Sequence, residues 1–405
     1  MLDATAIGLG AIIGAGIFVA IGPAVAVAGV WALIGFGIAA LVALFNALSS
    51  AQLAAAYPVS GGTYAYGRRL IHPLAGFIAG WVFVVAAIAA DSAIALSFAA
   101  YLHVLFPTVP LRGVAVALAI AATLLNYRGL GYSARVNTWL VVVKIGALLL
   151  FIGIGLSAVR PEPLQPASAF VLGDVLHAAA ILFFAYTGYA RIATLAEEVK
   201  APERTIPRAI LTALGLSAGI YLGVAVVALG VLGPQRLAIS TAPLATAMQI
   251  AGTPVGLLII AAGALVATAT VLLTDLMGIS RVVFAMARNR ELPERLAVVH
   301  YRFDTPHRAV LISGLVVAVL AAVLPLRSLV EAGSLGLLIY YGITNLAAII
   351  LPDAQRRYHR AWAVAGVLAC FSLAFFLPWR IMLIEGIVIL AGAIYYWIVT
   401  HWKRS

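Results

Sequence analysis

Three charged residues lie inside apolar segments that are long enough to cross a membrane. Asp91 lies in "AAIAADSAIALSFAA", Lys144 in "NTWLVVVKIGALLLF", and Asp275 directly follows "ATATVLLT". A charge at the centre of a membrane-spanning helix costs about 2.5–3.5 kcal/mol on insertion scales, so each is a candidate for function. A lysine or a carboxylate can exchange a proton, and a carboxylate can also hold a cation. The sequence therefore predicts proton or cation chemistry at membrane depth.

Two segments carry helix-breaking residues in apolar surroundings. The stretch "IGLGAIIGAGIFVAIGP" (7–23) contains five glycines, and each costs a helix interior roughly 1 kcal/mol relative to alanine. In "AAAILFFAYTGYARIATLAEEV" (178–199), Thr187 and Gly188 interrupt an aromatic run. Such glycines permit either close packing of helices or a break that exposes backbone amides and carbonyls. Their recurrence in two segments favours the break, and with it a binding site made of main-chain groups.

The elements that must position these residues follow from composition. Of the 405 residues, 64% are hydrophobic and 10% are charged, and the mean hydropathy is +1.11. Long apolar runs of about 20 residues predict membrane-spanning helices, whereas a membrane β-barrel would show short alternating segments. The single cysteine, Cys370, excludes a disulfide within the chain and a cysteine-based metal site. An all-α membrane protein is therefore the predicted fold class.

The apolar runs predict twelve spans. They lie at residues 5–29, 31–56, 74–105, 113–127, 134–158, 173–198, 207–232, 254–288, 307–325, 329–351, 359–377 and 380–401.

The basic residues predict the orientation of these spans. Most of the 25 Lys and Arg residues fall on the side that holds both termini, and the opposite side holds Arg112, Arg160, Arg236, Arg327 and Arg380. The positive-inside rule therefore predicts a multi-pass protein of the cell membrane with both termini in the cytoplasm. The net charge of +11 lies in short loops rather than on a basic aromatic surface, so the lipid bilayer is a predicted partner and nucleic acid is not.

Several stretches together resemble the amino acid–polyamine–organocation (APC) superfamily of transporters. They are "GAIIGAGIF" (10–18), "YPVSGGTYAYGRR" (57–69), "FFAYTGY" (183–189), "EEVKAPERTIPRAI" (197–210) and "SRVVFAMARNRELP" (280–293). The resemblance implies a LeuT-type fold with a five-plus-five inverted repeat and broken helices 1 and 6. The repeats would occupy residues 1–158 and 159–351, and two extra helices would occupy 352–405.

The resemblance also implies a substrate site at the two breaks. In the superfamily an α-carboxylate is held by first-span amides at positions matching Gly14, Ala15 and Gly16. An α-ammonium is held by carbonyls matching Ile12, Phe184 and Thr187, next to Gly188, and Phe184 matches an aromatic lid. Opposite partial charges at two half-helix ends suit a zwitterion. Two departures stand out: Ala15 replaces a frequent serine, and Ala190 replaces a frequent glutamate.

The membrane-embedded charges acquire roles through the same resemblance. Lys144 matches a fifth-span lysine that takes the place of sodium in proton-coupled members, and Asp275 is a second candidate for coupling. Asp91 matches a substrate-contacting position and predicts a cationic or amine-bearing substrate. A structural ion pair remains the alternative for each of the three. For Lys144 the alternatives include a snorkelling lysine, and for Asp91 they include a carboxyl that titrates during transport and one that is permanently protonated.

A candidate gate lies on the predicted cytoplasmic side. Tyr64 and Tyr66 would close it, against the alternative of aromatic residues at the membrane interface. Glu197 and Glu198 end the sixth predicted span, where acids oppose the helix dipole and require basic partners. Arg68 and Arg69 lie on the same surface, so we expect an ion-pair latch between the two pairs.

These residues predict a secondary transporter that moves an amino acid or related amine, driven by protons through Lys144. A sodium-independent exchanger is the alternative, and a channel is a more distant one. No nucleotide-binding loop and no catalytic motif of a hydrolase or metalloprotease occurs in the sequence, so we expect neither an enzyme nor a cofactor. The sequence does not decide between a monomer and a homodimer.

Overall fold

A computed structural model describes residues 9–10, 12–57, 61–129, 134–166, 169–189 and 202–402. Every regular element in these ranges is helical. Apolar chains adopt this form in lipid because a helix satisfies its own backbone hydrogen bonds.

Twelve long helices account for most of the described residues. The first six are α1 (Gly16–Ala28), α2 (Ala32–Ala56), α3 (Pro73–Leu105), α4 (Leu111–Tyr127), α5 (Ala134–Leu156) and α6 (Leu172–Tyr186). The second six are α7 (Pro202–Ile239), α8 (Pro254–Arg288), α9 (His307–Val323), α10 (Leu326–Ile350), α11 (Arg360–Phe375) and α12 (Trp379–Trp402). Short helical turns at Gly62–Tyr66 and Pro243–Ile250 connect them.

The helices identify a multi-pass membrane protein. Within the described residues, seven segments are long and apolar enough to cross a membrane, and the segment Gly16–Ala56 includes both α1 and α2. The helices α4, α6, α9 and α11 are apolar but shorter. A helix therefore lies at each of the twelve predicted positions, while the number of crossings and the side of the termini stay predictions.

Both predicted breaks coincide with interrupted helices. Residues Ile13–Ala15 form a bend, and α1 begins only at Gly16 rather than continuing from residue 5. The helix α6 ends at Tyr186 and is followed by a 3₁₀ turn at Thr187–Tyr189, so it stops well before residue 198. Each interruption leaves backbone groups without their normal helical partners.

The packing of the helices brings the two interruptions together in the core. The helix α6 packs against α1 and α2, and α3 packs against α8 and α10. A Cβ atom built on Gly16 would lie only 2.9 Å from the Cβ of Ala185. Glycine is therefore required at position 16 because the start of α1 touches the end of α6. Close packing and a break, which the sequence left as alternatives, both occur there.

Candidate functional site

A large cavity lies between the two interruptions. It has a volume of about 800 Å³, and its wall includes Ile12, Ala15 and Gly16 from the first interruption. Phe184, Thr187 and Gly188 from the second interruption face the same space. The helices α3, α8 and α10 supply the remaining walls. This volume and this mixture of apolar side chains with a few polar groups are typical of a small-molecule site.

The carbonyl of Ile12 is fully engaged by protein donors. It accepts hydrogen bonds from the backbone N–H of Gly14 at 2.7 Å and from the hydroxyl of Tyr221 at 2.5 Å. A carbonyl oxygen has two lone pairs, so in this conformation Ile12 has no acceptor left for an ammonium group. This differs from the role that the superfamily resemblance implies for Ile12.

The carbonyls of the second interruption also accept hydroxyl donors. Thr187 Oγ1 donates to the Phe184 carbonyl at 3.0 Å. The hydroxyl of Tyr341, on α10, donates to the Thr187 carbonyl at 2.9 Å. Both carbonyls lie on cavity-lining residues. The exposed end of α6 is therefore held in place by short polar contacts while it faces the cavity.

Two predicted substrate residues lie away from the cavity wall. Gly14 lies within the bend, donates its N–H to Ile12, and is not among the lining residues. Asp91 is completely buried, and the α3 residues that reach the cavity are Phe83, Ala87, Ala90 and Ile94. Because Asp91 follows Ala90 directly, it is rotated by about 100° from that lining position. Asp91 is therefore buried beside the lining face of α3, and its contact with a substrate stays a prediction.

The charged residues on the wall come from α8 instead. Asp275 lines the cavity, and Arg281 and Arg288 follow it along the helix. Lys144 is 2% exposed and is not a lining residue, although its helix α5 packs against α8. The hydroxyls of Thr268 and Thr270 donate to carbonyls of their own helix, each at 2.7 Å. Of the three membrane-embedded charges predicted from the sequence, Asp275 lies on the cavity wall, whereas Lys144 and Asp91 do not line the cavity.

A polar cluster joins the segment after α2 to the residues after α8. Tyr64 lines the cavity, donates its hydroxyl to Glu291 Oε2 at 2.6 Å, and accepts from Asn289 Nδ2 at 2.6 Å. Arg68 forms an ion pair with the other oxygen of Glu291, whose side chain is 3% exposed. Arg69 instead lies over the ring of Tyr57 at 4.5 Å. Glu291 is thus the acidic residue that Tyr64 and Arg68, in the segment after α2, contact.

The remaining gate residues take other positions. Tyr66 is buried in a separate apolar cluster with Leu53, Ala347 and Leu351, and it does not line the cavity. Glu197 and Glu198 lie outside the described residues, so the predicted latch with Arg68 and Arg69 is not tested by the structure. For Arg68, the described partner is Glu291.

A second polar cluster lies where α6 and α10 begin, away from the cavity. Glu331 Oε1 accepts a hydrogen bond from Arg327 Nε at 2.9 Å and lies 3.3 Å from His177 Nε2. Glu331 is 4% exposed. The cluster connects α10 to the interrupted helix α6 at the end of the protein opposite Glu291.

The amino acid permease family model matches this chain over residues 1–401. The chain belongs to this family, within the APC superfamily. This confirms the resemblance found in the sequence, and it makes the protein a membrane transporter of amino acids rather than an enzyme.

Individual relatives agree with this assignment. The permease is 46% identical to an uncharacterized transporter of Mycobacterium tuberculosis over 93% of this chain and 86% of that protein. It is 32% identical to a branched-chain amino acid permease of Bacillus subtilis over 98% of this chain and 92% of that protein. It is also 31% identical to the human cationic amino acid transporter 4 over 86% of this chain and 59% of that protein.

Sequence reasoning missed several residues that organise the permease. Tyr221 gave no signal because a tyrosine in an apolar helix is usually explained by packing alone. Glu291 lies in the quoted stretch "SRVVFAMARNRELP", but its spacing does not indicate that it folds back toward Tyr64. Glu331 lies near the start of an apolar span, where the nearby Arg327 at i−4 was the available signal for an ion pair.

Proposed function

We propose that this permease is a secondary active transporter that binds an amino acid between its two interrupted helices and moves it by alternating access. The observation that carries the proposal is a single cavity lined by both interruptions. Unwound backbone at membrane depth is tolerated only where protein or a water-filled cavity satisfies it. Paired interruptions in the two halves of a chain are typical of inverted-repeat transporters, with repeats here at 1–158 and 159–351 and two further helices at 352–405.

The two interruptions offer opposite partial charges to a zwitterion. The α1 helix begins at Gly16, next to the cavity-lining Ala15, so its first amides and its dipole favour the α-carboxylate. The α6 helix ends at the cavity with the carbonyls of Phe184 and Thr187, which favour the α-ammonium. The Ile12 carbonyl is left out of this assignment because Gly14 and Tyr221 already occupy it.

The walls favour an apolar substrate side chain. The α3 wall consists of Phe83, Ala87, Ala90 and Ile94, and α8 adds Val271. These apolar side chains can pack against an aliphatic substrate side chain, and none of them carries a polar group that would lose its hydrogen bonds to water when the substrate binds. Similarity to the branched-chain amino acid permease supports this choice.

A cationic substrate is the second candidate, and one observation favours it. Asp275 is an acidic residue on the cavity wall, and its carboxylate would attract an ammonium or guanidinium group. Similarity to the human cationic amino acid transporter 4 is consistent with this alternative. In this proposal Asp275 contacts the side chain of a cationic substrate, because Asp275 lines the cavity and Asp91 does not.

Uptake into proteoliposomes tests both candidates. We expect saturable uptake of radiolabelled L-leucine, with L-arginine as the competing candidate, and countertransport after preloading, which a channel does not show.

If arginine is the substrate, Asp275→Asn should lower the affinity for arginine by about tenfold or more, the range of a lost hydrogen bond to a charged group. Asp91→Asn is the matched control. An unchanged arginine affinity in Asp275→Asn, or an equal loss in Asp91→Asn, contradicts the role of Asp275.

The driving ion is proposed to be the proton, held at Lys144. This lysine is buried in α5 beside α8, and a lysine in this position can replace the charge of a bound sodium ion. The Lys144 ammonium would donate to backbone carbonyls near Gly10 and to α8 oxygens near Thr268 or Thr270, and would thereby link the two helices. Exchange of one amino acid for another without a net ion is the alternative, and the last prediction below separates the two.

A further inference from the structure

Tyr221 connects the two interruptions through a single hydroxyl group. It lies on α7, is completely buried, and is not a cavity-lining residue. Its hydroxyl donates to the Ile12 carbonyl at 2.5 Å and also lies 3.2 Å from the Ala185 carbonyl. Ile12 belongs to the first interruption, and Ala185 lies one residue before the end of α6. One hydrogen is therefore shared between the two segments in a three-centre bond.

The same two segments are also in direct contact at Gly16 and Ala185. A side chain at Gly16 would collide with the backbone of Ala185. The start of α1 thus rests on the end of α6, and Tyr221 ties the two backbones together from behind the cavity. This pair of contacts fixes the separation between the α1 amides and the α6 carbonyls.

We propose that Tyr221 is a positioning residue that sets this separation and thereby makes the permease selective for α-amino acids over β-amino acids. The inference rests on the proposed function, in which α1 holds the carboxylate and α6 holds the ammonium. In an α-amino acid one carbon separates the two charged groups. A β-homo amino acid has the same side chain but inserts one methylene between them. A site with a fixed separation fits both charged groups of the longer molecule less well, because the extra methylene lengthens it and adds a rotatable bond that must be ordered.

The neighbouring Tyr186 provides a matched control. Its ring centre lies 5.2 Å from that of Tyr221, and its own hydroxyl makes only a long hydrogen bond of 3.5 Å to the Phe36 carbonyl. Tyr186→Phe therefore removes a buried hydroxyl from the same aromatic pair without removing the hydrogen bonds from Tyr221 to the carbonyls of Ile12 and Ala185.

The experiment compares affinities for L-leucine and L-β-homoleucine, and for L-arginine and L-β-homoarginine, by competition in proteoliposomes. In the wild-type protein we expect the α form to bind at least tenfold more tightly than its β-homo form. In Tyr221→Phe we expect that ratio to fall at least threefold, because the carbonyl separation is no longer fixed. In Tyr186→Phe the ratio should equal that of the wild type.

The outcomes separate this inference from the function on which it rests. If the wild-type protein binds none of the four compounds, the proposed function fails. If it binds them and Tyr221→Phe keeps the wild-type ratio, the positioning role is overturned, even where both affinities or the thermal stability fall. Should Tyr221→Phe not fold, Tyr221→Met, which also lacks the hydroxyl donor and whose flexible side chain can fill the buried site, replaces it, and the same threefold criterion decides.

Discussion

The hydroxyl of Tyr64 donates a 2.6 Å hydrogen bond to Oε2 of Glu291. Tyr64 lies in the short helix Gly62–Tyr66 and lines the cavity, whereas Glu291 follows the end of α8. The bond therefore joins the wall of the cavity to the segment that leaves the helix bundle. Since Asn289 donates to the same tyrosine and Arg68 pairs with the same glutamate, the cluster holds this end of the cavity in one arrangement.

Loss of the Tyr64 hydroxyl should open this end of the cavity. A hydrogen bond to a charged group contributes about 1.5–3 kcal/mol, and about 1.4 kcal/mol changes an equilibrium tenfold. We expect Tyr64→Phe to increase the labelling rate of a cysteine placed at the lining position Ala285 by about tenfold. The only native cysteine, Cys370, is buried, so a membrane-impermeant thiol reagent reports the introduced one.

Tyr66→Phe is the control for this measurement. Among the described residues the hydroxyl of Tyr66 has no hydrogen-bond partner, and its ring is packed in an apolar cluster. The variant should label at the wild-type rate. Equal labelling rates in Tyr64→Phe and the wild type would show that Tyr64 does not gate the cavity.

Gly16 should tolerate no side chain, although it begins a helix. The Cβ of an alanine at this position would lie 2.9 Å from the Cβ of Ala185 and closer still to its Cα, so α1 and α6 must separate. We expect Gly16→Ala to lower the thermal unfolding midpoint in detergent by several degrees, because overpacking costs about 1–3 kcal/mol. Gly37→Ala in α2, where no atom lies within 4 Å of the added Cβ, should match or exceed the wild-type midpoint. The contact is refuted if the two variants unfold alike.

Local composition was sufficient to predict where the helices are interrupted. The glycines around Gly14 and the Thr187–Gly188 step interrupt apolar runs, and unwound backbone at membrane depth is tolerated only where protein or a water-filled cavity satisfies it. The structure has a bend at Ile13–Ala15 and a turn at Thr187–Tyr189. The cavity between them follows from these two predictions together with helix packing.

The faces that the helices present to the cavity could not be predicted from the same evidence. The helix α3 is apolar around its whole circumference, so the sequence contains no stripe that distinguishes Ala90 from its neighbour Asp91. The packing of α3 against α8 and α10 decides which residues face inward. For the same reason Tyr221 and Glu291, which act through partners far away in sequence, gave no local signal.

The cluster around Glu331 should stabilise the contact between α6 and α10. His177 and Arg327 both approach Oε1 of Glu331, and Glu331 is buried. Removing one partner of a buried charged pair costs about 3–5 kcal/mol. We expect Glu331→Gln to lower the unfolding midpoint more than Arg327→Gln, whose side chain is 49% exposed. The double variant should lose less than the sum of the two single variants.

An exposed ion pair provides the comparison for the Glu331 and Arg327 variants. Arg290 and Glu294 are 3.3 Å apart, with side chains that are 71% and 64% exposed. Such a pair contributes about 0–1 kcal/mol, so Glu294→Gln should leave the midpoint almost unchanged. Strict additivity of Glu331→Gln and Arg327→Gln would mean that the two side chains do not stabilise the permease as a pair.

The last prediction concerns the driving ion. If Lys144 carries the coupling proton, its ammonium ties α5 to α8 and to the first interruption, and its deprotonation removes a charge-assisted bond. A change of about 1.4 kcal/mol is enough to shift a two-state balance tenfold, so loss of the proton from Lys144 can permit inward opening.

Uptake into proteoliposomes should then rise with an inward proton gradient and be the same with sodium or potassium. Lys144→Ala should lose the response to the gradient while retaining exchange against preloaded substrate, and Lys200→Ala, a lysine outside the spans predicted from the sequence, should behave like the wild type. Sodium-dependent uptake, or a Lys144→Ala variant that still concentrates substrate on a proton gradient, would refute the mechanism.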